Sequence, residues 1–170
     1  MSLAKPPASS DLIHALSSTW FGAGLSPEAV ERLAAIGTIR ELPPGVEVTR
    51  EGTVTEALMV VISGRVALRT LVPERGMITI LTVESGDIVG WSAIVPPYRG
   101  TATGITIEPV TLVELPGDRL RQLLRGDHAL AASLYPRVLQ AASRRLAATR
   151  FQLLDLFARE QEIQGGGESW

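Results

Sequence analysis

Cysteine is missing from all 170 residues. That excludes disulfides, thiolate metal sites and cysteine-held iron–sulfur clusters, and with them one common way in which small sensors detect oxygen or redox state. Histidine is scarce as well. His14 and His128 stand apart, neither at metal-ligand spacing from a second histidine or a carboxylate, so no metal site is expected. The excess of one charge sign is small: a net charge of -2 provides no general electrostatic drive toward nucleic acid. Uninterrupted apolar runs never approach the ~18 residues of a membrane span, and neither end has a basic segment leading into an apolar one. A cytoplasmic protein without a membrane partner is expected. Nothing marks a nucleophile elbow, so no catalytic residues are assigned and a non-enzymatic role is expected.

What is present is a globular balance of 45% hydrophobic and 20% charged residues, in a length suited to one domain with an extension. Residues 1–10, with Lys5, Pro6 and Pro7, lack periodicity and read as a disordered N-terminus. Leu12, Ile13, Leu16 and Trp20 recur at helical spacing as far as Gly22. Ser26-Pro27-Glu28 then supplies a cap, a first-turn proline and an early acid for a second helix that turns Ala29, Val30, Leu33 and Ile36 inward. From Thr38 the period becomes extended. Leu58 to Ile62 and the alternating Val66, Leu68 and Thr70 flank the Ser63-Gly64 turn as a hairpin, and further short strands follow at Met77–Leu81 and across Thr101–Leu115. Many short strands separated by glycine and proline turns indicate a double-sheet β-barrel or jelly roll, placed with its N-terminal helices in residues 11–125.

The stretch GDIVGWSAIVPPYRGTATG, from Gly86 to Gly104, is the candidate ligand pocket. It reads as a glycine-opened turn, a short helical segment carrying Trp91 and Ser92, and a loop fixed by Pro96 and Pro97 that feeds a threonine-rich strand. Backbone amides near Gly86, Gly90 and the helix start would converge on an anion there. A plain structural corner between strands would leave the same glycine pattern.

Past Gly126-Asp127 a long helix begins at about His128 and fills residues 126–164. Within it Leu139, Ala142, Leu146, Thr149, Leu153, Leu156, Glu160 and Ile163 alternate in steps of three and four, the seam of a two-helix coiled coil. A homodimer is expected through Leu139, Ala142, Leu146, Thr149, Leu153 and Leu156; packing of the same stripe on its own barrel is the alternative. Arg144, Arg145 and Arg150 read as charged flanks of that seam. Residues 165–170 read as a disordered tail.

From Leu25 to Ala158 the chain resembles the cyclic-nucleotide-binding domain of the bacterial catabolite activator and fumarate–nitrate regulator superfamily. The resemblance rests on Leu42-Pro43-Pro44-Gly45, Ile62-Ser63-Gly64-Arg65-Val66, Gly86-Asp87-Ile88-Val89-Gly90 and the helix bearing Arg144-Arg145-Leu146-Ala147-Ala148-Thr149. It implies a jelly-roll sensor domain on a dimerising helix, with a cyclic nucleotide, cyclic AMP or cyclic GMP, as ligand. In family members that bind cyclic AMP, a Glu after the cassette glycine holds the ribose and an Arg before a Ser or Thr neutralises the phosphate. Here Gly90 matches the glycine, Trp91 replaces the Glu, Gly100 replaces the Arg, and Thr101 matches the Ser or Thr. Arg99, one residue early, becomes the candidate phosphate partner, Thr149 the candidate base contact, and Trp91 with Tyr98 a stacking platform for a planar ligand. The resemblance therefore implies ligand contacts at Gly86, Gly90, Trp91, Ser92, Arg99, Gly100, Thr101 and Thr149. Transcription factors of the superfamily add a winged helix-turn-helix after the long helix. The glycine-rich residues that follow Ala158 leave no room for one, so direct DNA binding is not expected. A scaffold with a degenerate pocket, acting through an unidentified protein partner, is the competing reading.

Overall fold

The computed structural model describes the backbone of residues 10–165 and the side chains as far as Leu154, Leu153 excepted. The seam positions Leu153, Leu156, Glu160 and Ile163 therefore have side chains outside the described residues.

The first helix, α1, covers Ser10–Ser17 and buries Leu16. It stops before Trp20, short of the helical spacing in the sequence, because Thr19 turns the chain. The Thr19 hydroxyl donates to the Leu16 carbonyl at 2.7 Å and accepts from Gly22 N at 3.0 Å. This turn delivers Phe21 into the core, fully buried. Helix α2, Pro27–Ala34, is capped by Ser26, whose side chain accepts from Ala29 N at 3.1 Å. It buries Ala29, Val30, Leu33 and Ala34.

Eight strands follow: β1 Thr38–Leu42, β2 Glu47–Thr49, β3 Ala57–Ser63, β4 Val66–Val72, β5 Gly76–Val83, β6 Ile88–Val89, β7 Thr103–Thr106 and β8 Val110–Pro116. They form two four-stranded sheets, ordered β1-β8-β3-β6 and β2-β7-β4-β5. All named pairs are antiparallel, with Val60 opposite Val113 and Leu68 opposite Gly104 fixing the register. The jelly-roll architecture expected from strand spacing is the observed one.

The apolar run in β3 has a direct cause. Successive side chains of a strand point to opposite faces. Leu58 and Val60 enter the core between this sheet and the helices, while Met59 and Val61 enter the core between the two sheets. β8 divides in the same way, Val113 and Leu115 toward the helices, Val110 and Leu112 toward the second sheet. The β1-β8-β3-β6 sheet is thus the middle layer.

Helix α3 spans Gly117–Gly126 and α4 spans His128–Gly165. Asp127 sits between them, accepting from Leu130 N at 3.0 Å and pairing with Arg32 of α2. The first turns of α4 pack on the helical core through Leu130, Leu134, Val138 and Ala141. At ~1.5–3 kcal/mol for each large buried aliphatic chain, these residues hold that half of the helix to the domain. Pro136 lies inside this anchored half, where it removes one backbone donor without ending the helix. On the other face Leu139 and Leu146 are exposed, at 68% and 65%. Among the described residues no helix is long and apolar enough to cross a membrane.

Candidate functional site

Strand β6 carries the chain from the Gly86 turn to Gly90, which adopts a left-handed conformation with φ 75°. A Cβ at Gly90 would lie 2.4 Å from the Ala57 carbonyl oxygen, so conformation and space both require glycine. The 3-10 helix Trp91–Ala93 follows, with Ala93 N donating to Gly90 O at 2.9 Å. Ser92 and Ala93 are buried. After the cis Pro96–Pro97 peptide, the backbone of Tyr98, Arg99 and Gly100 is sewn to the 50–55 loop. Gly100 N donates to Thr53 O at 2.8 Å, Gly52 N to Gly100 O at 2.8 Å, and Thr55 N to Tyr98 O at 2.9 Å. A Cβ at Gly100 would approach the Arg50 carbonyl to 2.4 Å. Two backbones touch at the point where the resemblance expects an arginine, and no side chain fits between them.

Behind this loop lie two adjoining cavities. The smaller, about 20 Å³, is lined by Thr49, Thr55, Gly90, Ser92 and Gly100. The larger, about 370 Å³, has Leu68, Ile80, Leu81 and Ala102 of the barrel on one side and Ala142, Leu146 and Thr149 of α4 on the other. Trp91, Thr101 and Arg145 line both.

Among the described residues Arg145 is the charged side chain on these walls. Its Nη2 donates to the Ile88 carbonyl, while its Nε is buried and has no hydrogen-bond partner. Burial lowers the pKa of its guanidinium, Asp87 opposes that shift, and the neighbouring Arg144 adds to it. Asp87 is shared, since Arg144 reaches it at 3.9 Å while lying over the Trp20 ring at 4.1 Å. A second orphan faces the smaller cavity. Thr55, 6% exposed, has its hydroxyl buried and unpartnered. The arginine pair is therefore not a simple flank of a helix seam: Arg144 covers Trp20, and Arg145 turns into the barrel.

The other expected residues separate into two groups. Gly90, Trp91, Ser92, Gly100 and Thr101 surround the smaller cavity, and Trp91, Thr101 and Thr149 share the larger. Thr149 also bonds back to the Arg145 carbonyl at 2.9 Å. Gly86 sits in a turn away from both, donating to Val61 O at 2.7 Å and accepting from Phe21 N at 3.2 Å. Arg99 donates to Gly52 O at 2.8 Å and lines a separate open groove with Glu56, Tyr98, Asp118 and Arg121. Tyr98 lies under Arg121, 4.8 Å from guanidinium to ring centre, so Trp91 and Tyr98 do not form one platform. Sequence reasoning missed Arg145 and Thr55. The available signal was Arg145 four residues before Thr149, which puts both on one helix face. A further groove of about 270 Å³ contains the ion pairs Arg40–Glu114 and Arg50–Glu47, at 2.6 and 2.7 Å, with Glu56 as a third carboxylate on its wall.

Comparison with known proteins agrees with this architecture. Residues 39–127 match the family model described as the cyclic nucleotide-binding domain. The chain is 32% identical over 134 residues to the acetyltransferase Pat of Mycolicibacterium smegmatis, covering 71% of this chain and 39% of that protein. It is 29% identical over 134 residues to the CRP-like cAMP-activated global transcriptional regulator of Mycobacterium tuberculosis, covering 78% of this chain and 58% of that one. The chain thus spans less than two thirds of either curated relative. Among solved structures, a putative cyclic nucleotide-binding protein from Geobacter metallireducens superposes with a TM-score of 0.69 at 28% identity, covering 78% of this chain and 96% of the other. A cyclic nucleotide-binding domain from Methylobacillus flagellatus gives 0.72 at 22% identity, covering 85% and 82%. With half of its length in the family match and its fold shared with these structures, the chain belongs to the cyclic nucleotide-binding domain family.

Proposed function

We propose that this protein is a non-enzymatic, cytoplasmic regulatory module that takes a small ligand of the cyclic-nucleotide type between its barrel and α4 and transmits occupancy through that helix. The observation that carries the reading is the composition of the larger cavity's walls. The barrel supplies Leu68, Trp91 and Ala102, and α4 supplies Ala142, Arg145, Leu146 and Thr149. A ligand touching both walls has different contacts for different placements of α4, which is what a ligand needs in order to shift such an equilibrium. Support for a regulatory role comes from the match of residues 39–127 to the cyclic nucleotide-binding domain. Thermal-shift and calorimetric titration with cyclic AMP, cyclic GMP and cyclic di-GMP tests the reading. A ligand at one hundred times its Kd stabilises by about 2.7 kcal/mol, a readily measured shift.

A second reading has its own support. Trp91 stands where the family places a ribose-binding carboxylate, and the adjoining smaller cavity is about 20 Å³, room for roughly one water. On that reading the pocket no longer takes a nucleotide and the module acts as a scaffold for a protein partner. No stabilisation by any of the three nucleotides favours it.

A further inference from the structure

The candidate ligand pocket contains a half-buried cation whose Nε is fully covered. Among the described residues no carboxylate lines either of the two adjoining cavities. Arg145 lines both, with one nitrogen committed to the Ile88 carbonyl and Nε buried without a partner. Asp87 is the acid that bears on it, and it also serves Arg144. Thr55 adds an unpartnered hydroxyl on the wall of the smaller cavity. A desolvated guanidinium with incomplete compensation is costly when empty and is well suited to an oxyanion. Beside it lies the apolar chamber, with Trp91 and Leu146 on its walls.

Resting on the sensor reading above, we propose that Arg145, reaching in from α4, holds the anionic group of the ligand, and that the ligand is a monoanionic oxyacid with a planar apolar body seated against Trp91 and Leu146. The cation then belongs to the moving wall of the pocket rather than to the barrel loop, where Gly100 excludes one. With Trp91 in the ribose position and no acid on the walls, sugar hydroxyls are not read. A cyclic phosphate diester and an aromatic sulfonate or carboxylate share the required chemistry.

The test compares the full chain with Arg145→Met and Arg99→Ala, using cyclic AMP, 2′-deoxy cyclic AMP, neutral adenosine and 8-anilinonaphthalene-1-sulfonate as probes in calorimetric and fluorescence titrations. The proposal expects at least one anionic probe to bind, with affinity reduced tenfold or more in Arg145→Met and unchanged in Arg99→Ala, and adenosine to bind at least tenfold more weakly than cyclic AMP if the phosphate is the group held. Cyclic AMP and its deoxy analogue should then bind alike; binding of the sulfonate alone identifies an aromatic acid as the ligand class. An anionic probe whose affinity survives Arg145→Met overturns the assignment of Arg145 while leaving the sensor reading intact. Failure of every anionic probe to bind, with cyclic GMP and cyclic di-GMP failing as well, overturns both. The melting temperature of the unliganded variant provides a reading independent of any probe. A guanidinium poised for a ligand gives an Arg145→Met protein as stable as the parent or more so, whereas a purely structural tie to Ile88 gives a marked fall, which sinks the proposal.

Discussion

At position 100 the chain has a glycine where its family resemblance calls for an arginine, and the local backbone explains why the change is not a simple truncation. The Gly100 amide and carbonyl are both bonded to the 50–55 loop, and the Arg50 carbonyl occupies the space of a Cβ. Reinstating the arginine by Gly100→Arg is therefore expected to destabilise the protein by about 1–3 kcal/mol, the usual cost of overpacking, without improving the binding of cyclic AMP. Urea denaturation and calorimetry measure the two effects; a stable variant with tighter binding would mean that the loop adopts another register. Much of this was legible in the sequence: Gly90, Trp91, Ser92, Gly100 and Thr101 belong to one short stretch of chain and surround one cavity. Arg145 was not legible. Charged residues on a long helix are mostly solvated, and nothing in a 3.5-residue count distinguishes one that turns toward a barrel strand 57 positions away in the chain.

Among the elements, α4 shows how two apolar stripes can be superposed on one helix. Leu139 and Leu146 recur seven residues apart and read as a seam. Leu130, Leu134, Val138 and Ala141 recur in steps of four, four and three and pack on the domain. Both obey helical periodicity, so sequence alone could not apportion them between self and partner; the strands were easier, because turn residues punctuate each one. The start of α4 is fixed by Asp127, whose carboxyl is held below its ordinary value of 3.8 first by the Leu130 amide and, against some burial, by Arg32. A depressed carboxylate contributes stability that is fully present above its unfolded pKa and disappears as pH falls through the folded one. The expected outcome is that acidification below about pH 4 loosens the α2–α4 junction first. Hydrogen exchange at Leu130 and Ala131 should rise there before exchange in β3 and β8. Asp127→Asn, which keeps the side-chain acceptor, should retain more of the cap at neutral pH than Asp127→Ala.

At the scale of the whole molecule, the exposed Leu139 and Leu146 belong to the proposal that two copies associate through α4. Tyr135, Phe151 and Leu154 add exposed apolar surface on the same helix. Changing Leu139 and Leu146 together to Asp would place like charges across a two-fold contact. On that proposal light scattering reports a dimer for the parent protein and a monomer for the double variant, with unchanged far-ultraviolet circular dichroism. A parent protein that is already monomeric at micromolar concentration removes the coiled-coil reading. Dimer formation and ligand binding would also be linked reciprocally: whatever factor the ligand contributes to association, association returns to ligand affinity.

The division of α4 into a portion packed in the core and a portion held to the barrel through Arg144, Arg145 and the cavity wall has a mechanical consequence. Its last residue committed to the core is Ala141, and the helix continues to Gly165. At 1.5 Å per residue the portion beyond Ala142 is a lever arm of roughly 35 Å, with the ligand cavity at its fulcrum. A tilt of about 10° at the cavity would sweep the far end through about 6 Å, an amplification by geometry alone. A displacement at Arg145 and Leu146 smaller than the diameter of one atom would reach whatever follows the helix as a movement larger than one turn of it.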